Sequence, residues 1–247
     1  MPDATRAHFA DVRMDPPPLE ILHEDNHLLA VSKPAGVASA HFQGDNQTID
    51  RLVKHYLKVK YDRPGNVFLG IVHRLDKPVT GVLLFARTSK AAARLSEQFR
   101  EGTVEKVYWV VVEGAVAAEA GSLEDWLKVD RSASSKRVEV VVAMESGARQ
   151  ALLHFQKLGE HGGLTLLEVR PQTGRTHQLR VQLAHRGHPV YGDARYGSIH
   201  TFGRAIALHA RSLTFMHPVR YEPITLTAEV PREWPGRFAY LLKGVRP

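Results

Sequence analysis

The chain predicts an α/β (α+β) fold: a mixed, largely antiparallel central sheet flanked by helices and loops. Three observations predict it. Helical stripes begin near Ile49 and Ser89, and short Val-, Leu- and aromatic-rich runs of strand length lie between and after them. Turn signals join several of these runs as hairpins. No internal repeat, low-complexity tract or composition shift divides the chain, so a single domain over residues 19–247 is expected. It follows a polar arm, residues 1–18, that ends in Pro16-Pro17-Pro18 and suits an extended segment.

In order along the chain, Leu19–His23 and His27–Ser32 flank the turn-prone triplet Glu24-Asp25-Asn26 and read as a hairpin. Lys33-Pro34-Ala35-Gly36 breaks the pattern. Ile49, Leu52, Val53, Tyr56 and Leu57 then share one helical face, with Thr48 as N-cap and Asp50 in the first turn. Val67–Val72 and Gly81–Ala86 read as strands on either side of His73-Arg74-Leu75-Asp76. Ser89 is placed to cap a helix carrying Ala91, Leu95 and Phe99, closed by Gly102. Lys106–Glu113 is a strand by its Val and aromatic content. Residues 121–149 are mixed in charge and poor in pattern, with an exposed loop expected at 131–136. Strands resume at Ala151–Leu158 and Leu164–Arg170. A loop then leads into a helix that buries Leu179 and Leu183 and ends at Gly187; the last third reads as short strands and turns.

Composition narrows the function. Lys and Arg number 33 against 26 Asp and Glu, a formal net charge of +7, which favours a polyanionic partner. With no cysteine, disulfides, thiolate zinc sites, iron–sulfur clusters and a Cys nucleophile are excluded. No apolar run approaches the ~18–20 residues of a membrane span, and no secretory leader pattern opens the chain, so a cytoplasmic protein without a membrane partner is expected. Neither phosphate-cradling glycine motif nor H-E-x-x-H occurs. His177, His185, His188 and Asp193 match no standard ligand spacing, so neither metal nor cofactor is expected; His185 and His188 suit helix capping, solvent or phosphate contact.

The strongest constellation is Asp76, in a loop just before Pro78 and Gly81. A loop carboxylate between two rigid strands suits a nucleophile or base, although an Asp before proline is also an ordinary turn former. Lys106 and Tyr108 fall on the same side of a strand. Arg175, in Thr173-Gly174-Arg175, can pair with a carboxylate and orient it, and His177, Arg180 and Arg186 add positive charge along the next helix.

Five ordered strings carry a resemblance: SKPAG (32–36), HRLDKPVTGVLLFA (73–86), KVYWVVVEG (106–114), RPQTGRTHQLRVQLAHRGHPVYGDARYG (170–197) and LHARSLTFMHP (208–218). From about Glu20 to about Pro231 the chain resembles the RluA-type RNA pseudouridine synthases. The resemblance implies the pseudouridine-synthase catalytic domain and cofactor-free isomerisation of uridine in structured RNA, tRNA before rRNA. It aligns Asp76 with the family's catalytic aspartate, whether nucleophile toward sugar or base or base at C2′. Tyr108 aligns with the tyrosine that stacks on uracil, and Arg175 with the arginine that pairs with the carboxylate. Arg74 aligns with a residue beside the aspartate that fills the space of the flipped nucleotide. Lys33, Lys106, His177 and Arg180 are expected to be structural or to contact RNA. A monomer is expected.

The sequence departs from the family pattern in three places. Val79-Thr80-Gly81 stands where Thr-Ser-Gly is common, and His41 comes later after the glycine than usual. No S4 module precedes Leu19, so RNA selection is expected from the catalytic domain, the arm and the 121–149 segment. The competing readings are a non-catalytic RNA-binding protein on the same fold, against which Asp76, Tyr108 and Arg175 argue, and a metal-dependent hydrolase using the histidines.

Overall fold

The computed structural model describes residues 19–40, 47–130, 137–243 and 245. The arm over 1–18, the 131–136 loop and His41 lie outside the described residues. The sheet has eleven strands: β1 (Glu20–Glu24), β2 (Leu28–Lys33), β3 (Gly70–Ile71), β4 (Thr80–Ala86), β5 (Glu105–Glu113), β6 (Ala120–Asp130), β7 (Arg137–Val141), β8 (Arg149–His161), β9 (Leu164–Pro171), β10 (Leu208–Met216) and β11 (Pro223–Thr227). The main path runs β1-β2-β4-β10-β5-β9-β8-β6-β7, with β11 on β10 and β3 on β4. Every strand pair is antiparallel except β4 with β10. Four helices pack on it: α1 (Ile49–Lys60), α2 (Ser89–Glu101), α3 (Gln178–His185) and α4 (Glu233–Leu242).

All seven residues of β4 are buried, as expected of a strand covered on both faces. Its odd residues Leu83 and Phe85 join Ile49, Val53 and Leu57 of α1 in one core. Its even residues Val82, Leu84 and Ala86 join Ala91 and Leu95 of α2 in another. The two-residue alternation of the strand thus feeds two layers, and the helical stripes read in the sequence are the faces that cover it.

Several expectations change in detail. Thr48 does sit at the N-cap of α1, but its hydroxyl donates to Asp50 Oδ1 in place of accepting a helix N–H. The cap of α2 is Thr88, whose Oγ1 accepts the Ala91 N–H at 3.2 Å; Ser89 is the first helical residue. Only Gly70–Ile71 of the expected 67–72 strand pairs, at the sheet edge. Residues 121–149 are mostly strand, because β6 and β7 expose one face and their polar side chains blur the period. The last third holds the nine-residue β10 at the middle of the sheet and the helix α4. Trp234, Phe238 and Leu241 of α4 close a third core over Trp109, Val111 and Leu166.

Candidate active site

The Asp76 loop joins β3 to β4 without regular structure, yet its backbone is held throughout. Ser39 Oγ donates to the Leu75 carbonyl at 2.7 Å and accepts the Leu75 N–H at 2.9 Å. Lys33 Nζ donates to the carbonyls of Pro34, Lys77 and Val79 at 2.9, 3.1 and 2.7 Å. The Gly36 N–H binds the Lys77 carbonyl, the Val79 N–H closes a turn on the Asp76 carbonyl, and the Ile206 N–H reaches Pro78. At the far end Gly81, at φ 112°, runs so close to β10 that an added Cβ would lie 2.2 Å from the Ala210 carbonyl oxygen, so only glycine fits.

Two buried histidines flank this loop. His73 Nε2 accepts the Leu84 N–H at 2.9 Å while its ring stacks on Phe99. Burial, with Lys106 nearby, pushes His73 down to about 4. His209 Nε2 donates to the Ala228 carbonyl at 3.1 Å, leaving Nδ1 to accept the Thr80 hydroxyl at 2.9 Å. Burial pushes His209 down to about 4 as well, so both rings are neutral at neutral pH. The hydroxyl displaced from the family pattern, Thr80, is thereby an internal partner of β10.

Asp76 lines a cleft of about 550 Å³ together with Arg74, Lys106, Tyr108, Thr173, Arg175, His177 and Arg180. Asp76 is 30% exposed, and its described contacts all fall on Oδ2: Arg180 Nη1 at 2.9 Å and His177 Nε2 at 3.6 Å. Oδ1 makes no hydrogen bond among the described residues. Tyr108 is half-buried on β5; burial and the Asp76 carboxylate push its phenol up, so it stays protonated at neutral pH.

The partner of the carboxylate is therefore Arg180, not Arg175 as the sequence suggested. The loop before α3 turns Arg175 aside: Gln178 Oε1 accepts both the Arg175 N–H at 3.0 Å and the Thr173 hydroxyl at 2.7 Å. Arg175 Nε then donates to the Gln150 carbonyl at 2.9 Å. Arg180, five residues further along and buried, reaches back to the cleft. It also binds Asp193 bidentately, Nε to Oδ2 at 2.6 Å and Nη2 to Oδ1 at 2.8 Å. Burial works against its charge, but the two carboxylates more than offset it and keep the guanidinium charged.

His177 begins α3 in the left-handed region at φ 52°. Tyr196 donates its hydroxyl to His177 Nδ1 at 2.7 Å, which leaves the Nε2 proton facing Asp76. Burial and the adjacent arginines lower the His177 pKa against the pull of Asp76, so the ring is neutral. Lys33 takes the structural one of its two expected roles. At 1% exposed it cannot touch RNA, and its ammonium instead binds the loop carbonyls. Arg74 is exposed at the cleft mouth, and Lys106 is half-buried in its wall, where burial lowers its pKa. Among the described residues no group of three or more His, Asp or Glu side chains is arranged to hold a metal ion. Ser39, Gln178 and Tyr196 were missed in the sequence; they act through backbone or neighbouring side chains, which spacing does not show. Asp193 stood out there only among metal-ligand types.

A largely antiparallel sheet carries a basic cleft with one clamped carboxylate in it, a setting that suits an anionic substrate. The family model described as RNA pseudouridylate synthase matches residues 27–185. An uncharacterised RNA pseudouridine synthase of Synechocystis is 36% identical over 91% of this chain and 69% of that protein. The tRNA pseudouridine synthase C of Haemophilus ducreyi is 34% identical over 87% of this chain and 93% of its own length. The ribosomal large subunit pseudouridine synthase D of Zymomonas mobilis is 32% identical over 91% and 73%. Among solved structures, human RNA pseudouridylate synthase domain containing 4 superposes with a TM-score of 0.73 at 25% identity, covering 91% of this chain and 92% of that one. The chain belongs to the RNA pseudouridylate synthase family, and within it to the RluA type. It is an isomerase whose substrate is uridine in RNA.

Proposed function

We propose that this chain isomerises uridine in a structured RNA, tRNA before rRNA, with Asp76 as its catalytic carboxylate. The observation that carries the reading is the clamped loop that offers Asp76 to the cleft with Oδ1 unengaged while Arg180 holds Oδ2. In the isomerisation the N1–C1′ bond breaks, the uracil turns, C5 bonds to C1′ and the C5 proton leaves. Such a reaction needs a carboxylate accessible to one flipped nucleotide, and Asp76 opens onto the cleft. Tyr108, protonated and lining the cleft, serves the uracil as a stacking face. Arg74 at the mouth takes the place of the extruded nucleotide. Lys106, Arg175 and His177 face the RNA, with Arg175 free to leave the Gln150 carbonyl for a phosphate. The tRNA enzyme is matched over 93% of its own length, against 73% for the ribosomal enzyme, which supports tRNA as the first substrate to try.

Tritium release from RNA labelled at uridine C5 tests the reading, with tRNA and ribosomal RNA transcripts run separately. Release from tRNA that disappears in Asp76→Ala is the expected result. Greater release from ribosomal RNA would overturn the substrate, and equal release by the variant would overturn the residue.

A further inference from the structure

A guanidinium left beside an accessible carboxylate closes on it with two parallel N–H···O bonds, the strongest geometry open to the pair. Arg180 does not do this with Asp76. Asp193 holds its Nε–Nη2 edge, at 2.6 and 2.8 Å, and in that orientation Nη1 alone reaches Asp76, at Oδ2, 2.9 Å away. The two carboxylates differ in setting: Asp193 is 2% exposed, Asp76 30%.

Asp193 is itself fixed by its turn. The Asp193 N–H binds the Val190 carbonyl, and the Asp193 carbonyl accepts the N–H groups of Tyr196 and Ser198. Gly192, at φ 86°, lies so near Phe202 that a Cβ there would be 2.6 Å from the Phe202 Cβ. The same turn sets the Tyr196 ring against the Arg180 guanidinium, 5.1 Å from its centroid. It also supplies the hydroxyl that fixes His177.

We propose that Asp193 is a positioning residue: by fixing the orientation of Arg180 it holds that guanidinium to a single bond on Asp76 Oδ2 and keeps Oδ1 available to the nucleotide. Without Asp193 the guanidinium turns onto Asp76, both carboxylate oxygens are engaged, and the reacting atom is withdrawn. The inference rests on Asp76 being the reacting carboxylate.

Single-turnover tritium release with the full chain in excess over the RNA transcript it processes, alongside RNA binding and thermal unfolding, tests it. Asp193→Asn keeps the shape but offers Arg180 one acceptor oxygen instead of two. The expected result is a rate lowered about 100-fold, the scale of a misplaced reacting group. RNA affinity stays within about twofold, since no RNA contact is removed. In an Arg180→Gln background, adding Asp193→Asn changes the rate by no more than about twofold, because Asp193 acts through Arg180. A wild-type rate in Asp193→Asn overturns the proposal, as does a lowered melting temperature with the rate of the folded protein unchanged. A further large drop in the double variant also overturns it. If Asp193→Asn alone fails to fold, Asp193→Glu, which keeps the buried charge but shifts its two oxygens by a methylene, takes its place, and a wild-type rate in it overturns the proposal. Asp76→Asn in the same assay separates the two readings: if it retains the wild-type rate, the assignment of Asp76 falls. If it is inactive while Asp193→Asn is not, only the positioning role falls.

Discussion

The Asp76 loop and the β6–β7 hairpin hold their shape in opposite ways. Residues 72–79 have no regular structure, yet Ser39, Lys33, Gly36 and Ile206 reach from elsewhere to bind their peptide groups. The hairpin is a regular ladder from Trp126–Val141 to Asp130–Arg137, yet Glu124, Arg137 and Glu139 turn outward and little packs on that side. Regularity and fixity are thus different properties. Where the proposed reacting oxygen sits, the backbone is clamped by distant side chains; the hairpin supports itself by its own ladder and leaves one face open.

Substitutions on the two sides of this comparison should differ in scale. Gly81→Ala forces a Cβ into the Ala210 peptide, and a loss of about 4 kcal/mol or more is expected in urea unfolding. Lys33→Met strips the donor from three loop carbonyls and should cost about 3 kcal/mol. Unfolding curves within 1 kcal/mol of wild type, as a rough bound on measurement scatter, would remove the clamp from the account.

The flanking histidines sharpen the comparison through pH. His73 and His209 ionise at about 4 in the folded chain and near 6.5 when free. Between those values the unfolded chain binds more protons. Their contribution is therefore complete above pH 6.5 and is lost as the pH falls toward 4, on the order of 2–3 kcal/mol each. His209→Gln, which keeps a donor for Ala228 and an acceptor for Thr80, should flatten the acid limb by about half. The smallest effect is expected at the exposed start of β8. Arg149→Gln should change stability by less than about 0.5 kcal/mol. It should instead weaken RNA binding uniformly and reduce the salt slope by roughly one unit, which a titration at several salt concentrations would read.

Much of this was legible in the sequence because it rests on local period. The β1–β2 hairpin, α1, α2, β4, β5, β9 and the buried Leu179 and Leu183 all follow from side-chain alternation or a helical stripe. Asp76, Tyr108, Lys106 and Arg74 do meet in one cleft, since strand ends and a loop beside them bring them together. What did not follow was anything set by pairs far apart in the chain. Arg175 and Arg180 are both arginines near the start of α3, and only the turn of the Thr173–Gln178 loop decides which of them faces Asp76. α4 was hidden because Pro235 and Gly236 interrupt a stripe that Trp234, Phe238 and Leu241 otherwise mark. β6 and β7 were hidden because a strand with one wet face and mixed charge shows little hydrophobic period.

The most direct measurement of the central claim, that the clamped loop presents one reacting carboxylate, is turnover against binding in Asp76→Asn. The change removes the charge and keeps the shape, in a loop whose backbone other residues hold. The account predicts tritium release lowered by at least about 10³-fold, with RNA affinity and the melting temperature near those of wild type. Release at the wild-type rate by a folded, RNA-bound Asp76→Asn protein would contradict it.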